Sequence, residues 1–192
     1  LAGRSNSIRI IGGEFRGRRL TFASVPGLRP TADRLRETLF NWLQGEVQGT
    51  DCLDLFAGSG ALGLEALSRG AAHVRLVDQS RVVARQLQQN LQQLGAQGRA
   101  EVMTGDALRL LRAGADRSFD LVFLDPPFAA NCLPQACALL EENAWLKPRS
   151  WIYLEQDSHR DWPPLAHNWR LYREAKAGQA ACRLYRRDII EN

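Results

Sequence analysis

LDLFAGSGALGLEAL, residues 53–67, runs from an apolar strand through a glycine-rich turn into a helix. Gly58, Gly60 and Gly63 satisfy G-x-G-x-x-G, and Asp78 stands 20 residues beyond Gly58, at the end of the next predicted strand. Glycines let the backbone approach a ligand, and a carboxylate at the end of the second strand takes the two hydroxyls of a ribose. The stretch therefore predicts a parallel sheet whose strand ends bind an adenosine-bearing molecule. It does not by itself predict a dinucleotide.

Outward from this loop the chain alternates strand and helix. Strands are predicted at 52–56, 73–78, 100–103, 119–124 and 151–155, with helices at 61–68, 81–94 and 107–112 and a fourth running from Pro134 to Glu142. Two further segments, 169–174 and 180–186, separated by AKAGQ, read as a closing antiparallel pair. The expectation is a Rossmann-like α/β fold, a seven-stranded mostly parallel sheet with helices on both faces. Ahead of it, IRIIGGEFRGRRLT (8–21) reads as a small hairpin with Arg16, Arg18 and Arg19 near its tip. Pro26, Gly27 and Pro30 break the chain, and Thr31 N-caps a helix whose apolar face is Leu35, Leu39, Trp42 and Leu43. Residues 1–30 are thus predicted as a basic extension and 31–192 as the main domain.

At 192 residues with 45% hydrophobic and 24% charged residues, the chain suits one globular domain, and it has no apolar run long enough to span a membrane. The first ten residues lack the apolar core of a signal peptide, which predicts a cytoplasmic protein. Cys52, Cys132, Cys137 and Cys182 contain no C-x-x-C pair and predict free thiols rather than disulfides or a metal site. The net charge of +4 is unevenly spread: +5 over residues 1–44, −4 over 45–169 and +3 over 170–192. Arginine dominates the basic ends, and its planar fork suits phosphate, so a polyanionic partner is expected, with Arg16, Arg18, Arg19, Arg29 and Arg34 as candidate contacts. A solvated basic face is the plainer reading of the same charges.

FDLVFLDPPF, residues 119–128, poses the chemical question. A buried strand ends on Asp125 and is followed by two prolines that cannot extend a ladder, so its polar groups face something other than a neighbouring strand. Asp54 narrows the choice of ligand. A carboxylate leading into the glycine loop opposes a pyrophosphate at the helix N-terminus, but suits the ammonium and sulfonium of S-adenosylmethionine. Asp106, in TGDAL after the third strand, is placed to accept from an adenine amino group. Asp78 and Asp106 also have plainer readings as helix caps. For methyl transfer to an exocyclic amine, the Asp125 carboxylate and the Pro126 carbonyl offer one acceptor for each N–H, localising the lone pair, and Phe128 offers a ring face for a flipped base.

With these residues in place, the chain resembles class I S-adenosylmethionine-dependent methyltransferases, through DLFAGSG at 54–60 and DPPF at 125–128. More narrowly, IRIIGGEFRGRRL (8–20), LRPTADRLRETLFNWL (28–43), CLDLFAGSGALGLEALSRGA (52–71) and AGQAACRLYRR (177–187) resemble the RsmD family, which methylates a guanine N2 in 16S ribosomal RNA. The resemblance implies that Asp54, Gly58 and Gly60 hold the methionine end of the cofactor, Asp78 the ribose and Asp106 the adenine. Phe56, Ser59, Gln79 and Ala107 are flanking cofactor-contact candidates, and Asp125, Pro126, Pro127 and Phe128 receive the base. It also implies action on an assembled 30S subunit or late precursor rather than on naked RNA; a monomer is the default expectation. DPPF alone does not separate guanine N2 from adenine N6, so a DNA adenine methyltransferase is the runner-up. A non-catalytic RNA-binding assembly factor explains the charge but not the loop, Asp78 and DPPF together.

Overall fold

The computed structural model describes residues 6–25 and 33–189, so Pro26, Gly27, Arg29, Pro30 and Thr31 lie outside the described residues. The main sheet has the strand order β5-β4-β3-β6-β7-β9-β8. Its members are β3 (Asp51–Asp54), β4 (His73–Asp78), β5 (Ala100–Thr104), β6 (Phe119–Leu124), β7 (Leu146–Asp157), β8 (Trp169–Ala177) and β9 (Ala180–Arg187). The first five are parallel, and β9 pairs antiparallel with both β7 and β8. The fold class predicted from the sequence is the one observed.

Both faces are covered. On one lie α1 (Asp33–Trp42), α2 (Ala61–Ser68) and α3 (Arg81–Leu94), which bury Leu39, Leu64, Leu67 and Leu87 against Phe123 and Tyr153. On the other, α4 (Ala107–Arg112) and α5 (Leu133–Glu142) bury Leu111 and Leu140 against Leu53, Val122 and Ile152. Strands enclosed on both faces explain the unbroken apolar run of β6. The chain order reverses between β3 and β6, and that crevice is where ligands settle in open α/β sheets.

Several limits and faces differ from expectation, among them β8, which runs on to Ala177 instead of stopping at 174. β3 stops at Asp54, because Phe56 has left the ladder and the Ala57 amide turns to the carbonyl of Val77 at 2.9 Å. β7 starts five residues early, at Leu146, with an irregular step where Phe119 faces Leu146 but Leu121 faces Trp151; Arg149, at φ 60°, marks the extra turn. In α1 the buried side includes Phe40 and, against expectation, Arg36, while Trp42 is only half-buried. The Arg36 guanidinium donates to the carbonyl of Arg9 at 2.7 Å and to Asp33 at 2.9 Å, pinning the N-terminal segment to α1.

That segment is a short antiparallel ribbon of β1 (Ser7–Arg9) and β2 (Arg19–Thr21). Its turn is docked on the last turns of α2. The amides of Ile11 and Gly12 donate to the buried Glu65 carboxylate at 2.9 and 2.8 Å, and those of Glu14 and Phe15 donate to the carbonyl and hydroxyl oxygens of Ser68. Gly13 sits at φ +77°, and a Cβ there would lie 1.9 Å from the Ser68 carbonyl oxygen. Gly13→Ala is therefore expected to cost about 2–3 kcal/mol of stability, read as a lowered thermal midpoint. An unchanged midpoint would show that the turn is not held as described.

All four cysteines are free thiols, with Cys132 half-buried and the others buried. Among the described residues no helix is long and apolar enough to cross a membrane.

Candidate active site

The glycine loop is assembled from the two strands flanking it. Gly58 and Gly60 take φ +52° and +79°, the left-handed conformations that favour glycine. The Gly58 amide donates to Asp78 Oδ2 at 3.0 Å, and the Ser80 amide donates to Asp78 Oδ1 at 2.9 Å. Asp78 thus shapes the loop while α3 is capped by Ser80, whose hydroxyl accepts from Val83. A carboxylate has about four lone-pair sites, so Asp78 keeps capacity for ribose hydroxyls.

Asp54 is 1% exposed at the floor of the loop. Its Oδ2 accepts from the Gly63 amide in the first turn of α2 at 3.0 Å, and its Oδ1 is buried without a hydrogen-bond partner. The amide that a pyrophosphate would seek at this helix N-terminus is already taken by an anion. Gly63 permits the contact, since a Cβ there would meet Leu76 at 2.4 Å. Burial pushes the Asp54 carboxyl up to about 7, reinforced by Asp125 and Asp78 and opposed by the backbone amides of Gly63 and, more weakly, Phe56. Such a group is stabilised by a cation placed against Oδ1.

One strand over, Asp125 is half-buried, Pro126 buried, Pro127 exposed and Phe128 half-buried. The Pro127 carbonyl closes a turn on the Ala130 amide at 2.8 Å, which leaves that of Pro126 as the candidate acceptor. A small open cleft is lined by Pro126, Pro127, Phe128, Leu133 and Gln156 among others. Leu124 faces Leu154 in the register, which brings Asp125 beside Glu155 of β7. Glu155 is 3% exposed and accepts from the Tyr153 hydroxyl at 2.7 Å; burial first, and then Asp125, push its carboxyl up to about 8. Asp54, Asp125 and Glu155 form a row of carboxyls across three strand ends. By local pattern 151–155 reads only as a strand; the signal for Glu155 is a glutamate closing an apolar run, as Asp125 does before Pro126 and Pro127.

The remaining candidates divide by place. Ser59 is buried, its hydroxyl accepting from Ala61 at 3.3 Å, and Phe56 packs half-buried under the loop. Gln79 is exposed beside Asp78, and exposed Asp106 caps α4 by accepting from Arg109 at 2.7 Å, next to buried Ala107. Exposed Arg34 lies in the first turn of α1. Arg16, Arg18 and Arg19 are exposed, but their ribbon is docked at the opposite edge of the sheet, against the end of α2, and Arg29 lies outside the described residues.

The chain as a whole has close relatives. The family described as conserved hypothetical protein 95 matches residues 8–186. Ribosomal RNA small subunit methyltransferase D of Escherichia coli is 50% identical over 184 residues, covering 96% of this chain and 92% of that one. The protein of the same description from Haemophilus influenzae is 47% identical, with 93% of each chain covered. A solved structure of the Escherichia coli protein yhhF is 50% identical with a TM-score of 0.85, covering 95% of this chain and 99% of that chain. By sequence along nearly its whole length and by superposed structure, the chain belongs to the family of conserved hypothetical protein 95, the RsmD family of small-subunit ribosomal RNA methyltransferases.

Proposed function

We propose that this chain transfers the methyl group of S-adenosylmethionine to the exocyclic N2 of a guanine in 16S ribosomal RNA, acting as a monomer on the 30S subunit. Family membership supports methyl transfer to small-subunit ribosomal RNA. The observation that carries the choice of cofactor is Asp54, a buried carboxylate with one oxygen spent on the helix amide and the other without a partner. A cation fits there and a pyrophosphate does not.

S-adenosylmethionine supplies an electrophilic methyl group on a cationic sulfur. Asp54 holds the ammonium, Gly58 and Gly60 give backbone access, Asp78 takes the ribose hydroxyls and Asp106 the adenine amino group. At the next strand end the Asp125 carboxylate and the Pro126 carbonyl accept from the two N–H groups of the target amine. That draws the nitrogen toward sp3 and points its lone pair at the methyl group, so the rate gain comes from positioning and fixed acceptors. Phe128 stacks on the base. The methylated amine is cationic and surrenders a proton to Asp125 or to water, so no base is needed before attack.

The test is transfer of labelled methyl to 30S subunits, naked 16S RNA and duplex DNA in parallel, with nucleoside analysis of the product. N2-methylguanosine from the 30S sample is the expected result. N6-methyladenine in the DNA would keep the acceptor mechanism and overturn the substrate, and no transfer to any of the three would overturn the reading.

A further inference from the structure

The ribbon arginines and the catalytic strand ends lie at opposite edges of the sheet, which raises the question of how one RNA reaches both. Helix α3 joins them. Its N-cap, Ser80, lies two residues after Asp78 at the cofactor edge, and its C-terminal half carries the ribbon: Arg18 Nη2 donates to the Gln93 carbonyl at 3.1 Å, and Asn90 Nδ2 donates to the Thr21 carbonyl at 2.8 Å. Fourteen residues make a path of about 21 Å.

The chemistry of that path is one-sided. RVVARQLQQNLQQL contains two arginines, five glutamines and one asparagine, and no acidic residue. Surface helices of globular proteins ordinarily mix both signs of charge. Arg81, Arg85, Gln88 and Gln92, at i, i+4, i+7 and i+11, form one exposed stripe along the helix. Val82, 62% exposed, is an apolar residue left in the open at the cofactor end. At the ribbon end, Arg16, Arg18 and Arg19 are exposed, and the ribbon's one carboxylate, Glu14, is paired with Arg99 at 2.6 Å. Among the described residues of the ribbon and α3, the one carboxylate is thus the paired Glu14, and the path from the ribbon tip to Ser80 is rich in hydrogen-bond donors.

We propose that the exposed face of α3 is the track on which the backbone of the substrate RNA runs from the Arg16–Arg19 ribbon to the catalytic edge. Arginines neutralise phosphates, and glutamine amides donate to phosphate oxygens and 2′-hydroxyls, contacts that position the RNA without reading its sequence. This rests on the proposed function and adds to it the direction in which the RNA lies.

Two double variants test the track. Gln88→Glu with Gln92→Glu places negative charge on the stripe with near-neutral helix propensity, and Arg81→Gln with Arg85→Gln removes its cations. Binding to 30S subunits and to 16S RNA is measured over a range of salt, alongside calorimetry with S-adenosylmethionine and thermal melting of each variant. The expected result is unchanged cofactor affinity and melting, RNA affinity lowered about tenfold or more, and, for the arginine pair, a salt slope shallower by about 0.7–0.9 per lost phosphate contact. Wild-type RNA affinity and salt slope in both variants would overturn the track. Absence of methyl transfer to RNA by the unmodified protein would instead overturn the proposed function, so the two failures are separable.

Discussion

An Asp125→Ala protein is expected to bind S-adenosylmethionine like the unmodified chain and to turn over about 10²–10³-fold more slowly. The side chain stands one strand away from the glycine loop, where the Gly58 and Ser80 amides donate to Asp78 and the Gly63 amide to Asp54. What is lost is an acceptor aimed at a nitrogen whose lone pair must be localised before it can attack. Because that demand exists only on the way to the transition state, the effect falls on kcat rather than on KM. Asp125→Asn, which keeps an acceptor oxygen but adds donors, is expected to fall between the two. Single-turnover rates at saturating cofactor make the comparison, and an alanine variant as fast as the unmodified protein would remove Asp125 from the chemistry.

Asp54→Asn separates cofactor affinity from stability. The amide keeps an oxygen for the Gly63 N–H but loses the charge that the ammonium requires, and S-adenosylmethionine affinity is expected to drop by about a hundredfold, the cost of one charge-assisted contact in a buried site. Stability should move the other way. In the cofactor-free protein the Asp54 carboxyl rises from its ordinary 3.8 to about 7, so the folded state holds its proton more tightly than the unfolded chain does. Its contribution is fully present below about pH 4 and is lost as pH rises toward 7. Asparagine removes that pH limb, and the apo variant should melt at or above the unmodified protein at neutral pH. Cofactor binding reverses the preference by favouring the ionised carboxylate, so wild-type affinity should weaken by up to about tenfold per pH unit below 7 while the variant stays flat. Calorimetry across pH checks both, and parallel pH dependences would take the ammonium away from Asp54.

The fold was legible because parallel strands covered on both faces leave unbroken apolar runs, and Phe119–Leu124 and His73–Asp78 read as strands with the limits they have. The loop was legible because the turns at Gly58 and Gly60 take left-handed conformations that favour glycine. Three things were not. Glu155 approaches Asp125 through the β6–β7 register, a relation between residues 30 positions apart that local pattern does not carry. Arg36 occupies a core position on the apolar side of α1 because its cation meets a carbonyl of the ribbon, and burial holds its pKa below the ordinary arginine value despite Glu65 and Asp33 nearby. The ribbon's basic tip is easily assigned to the substrate from composition, but its distance from Asp125 follows from where Gly13 fits, against the end of α2 rather than the start.

The grip of Glu65 and Ser68 on the ribbon turn also has a meaning in time. The contacts Ile11–Glu65 and Gly12–Glu65 close loops of 54 and 53 residues, and Phe15–Ser68 closes another of 53. On the ribosome the ribbon leaves the exit tunnel ahead of α2, and the Glu65 and Ser68 contacts cannot form until α2 has followed it out. At about 5–20 residues per second the ribbon spends some seconds at the mouth of a ribosome as a basic segment without its α2 anchor.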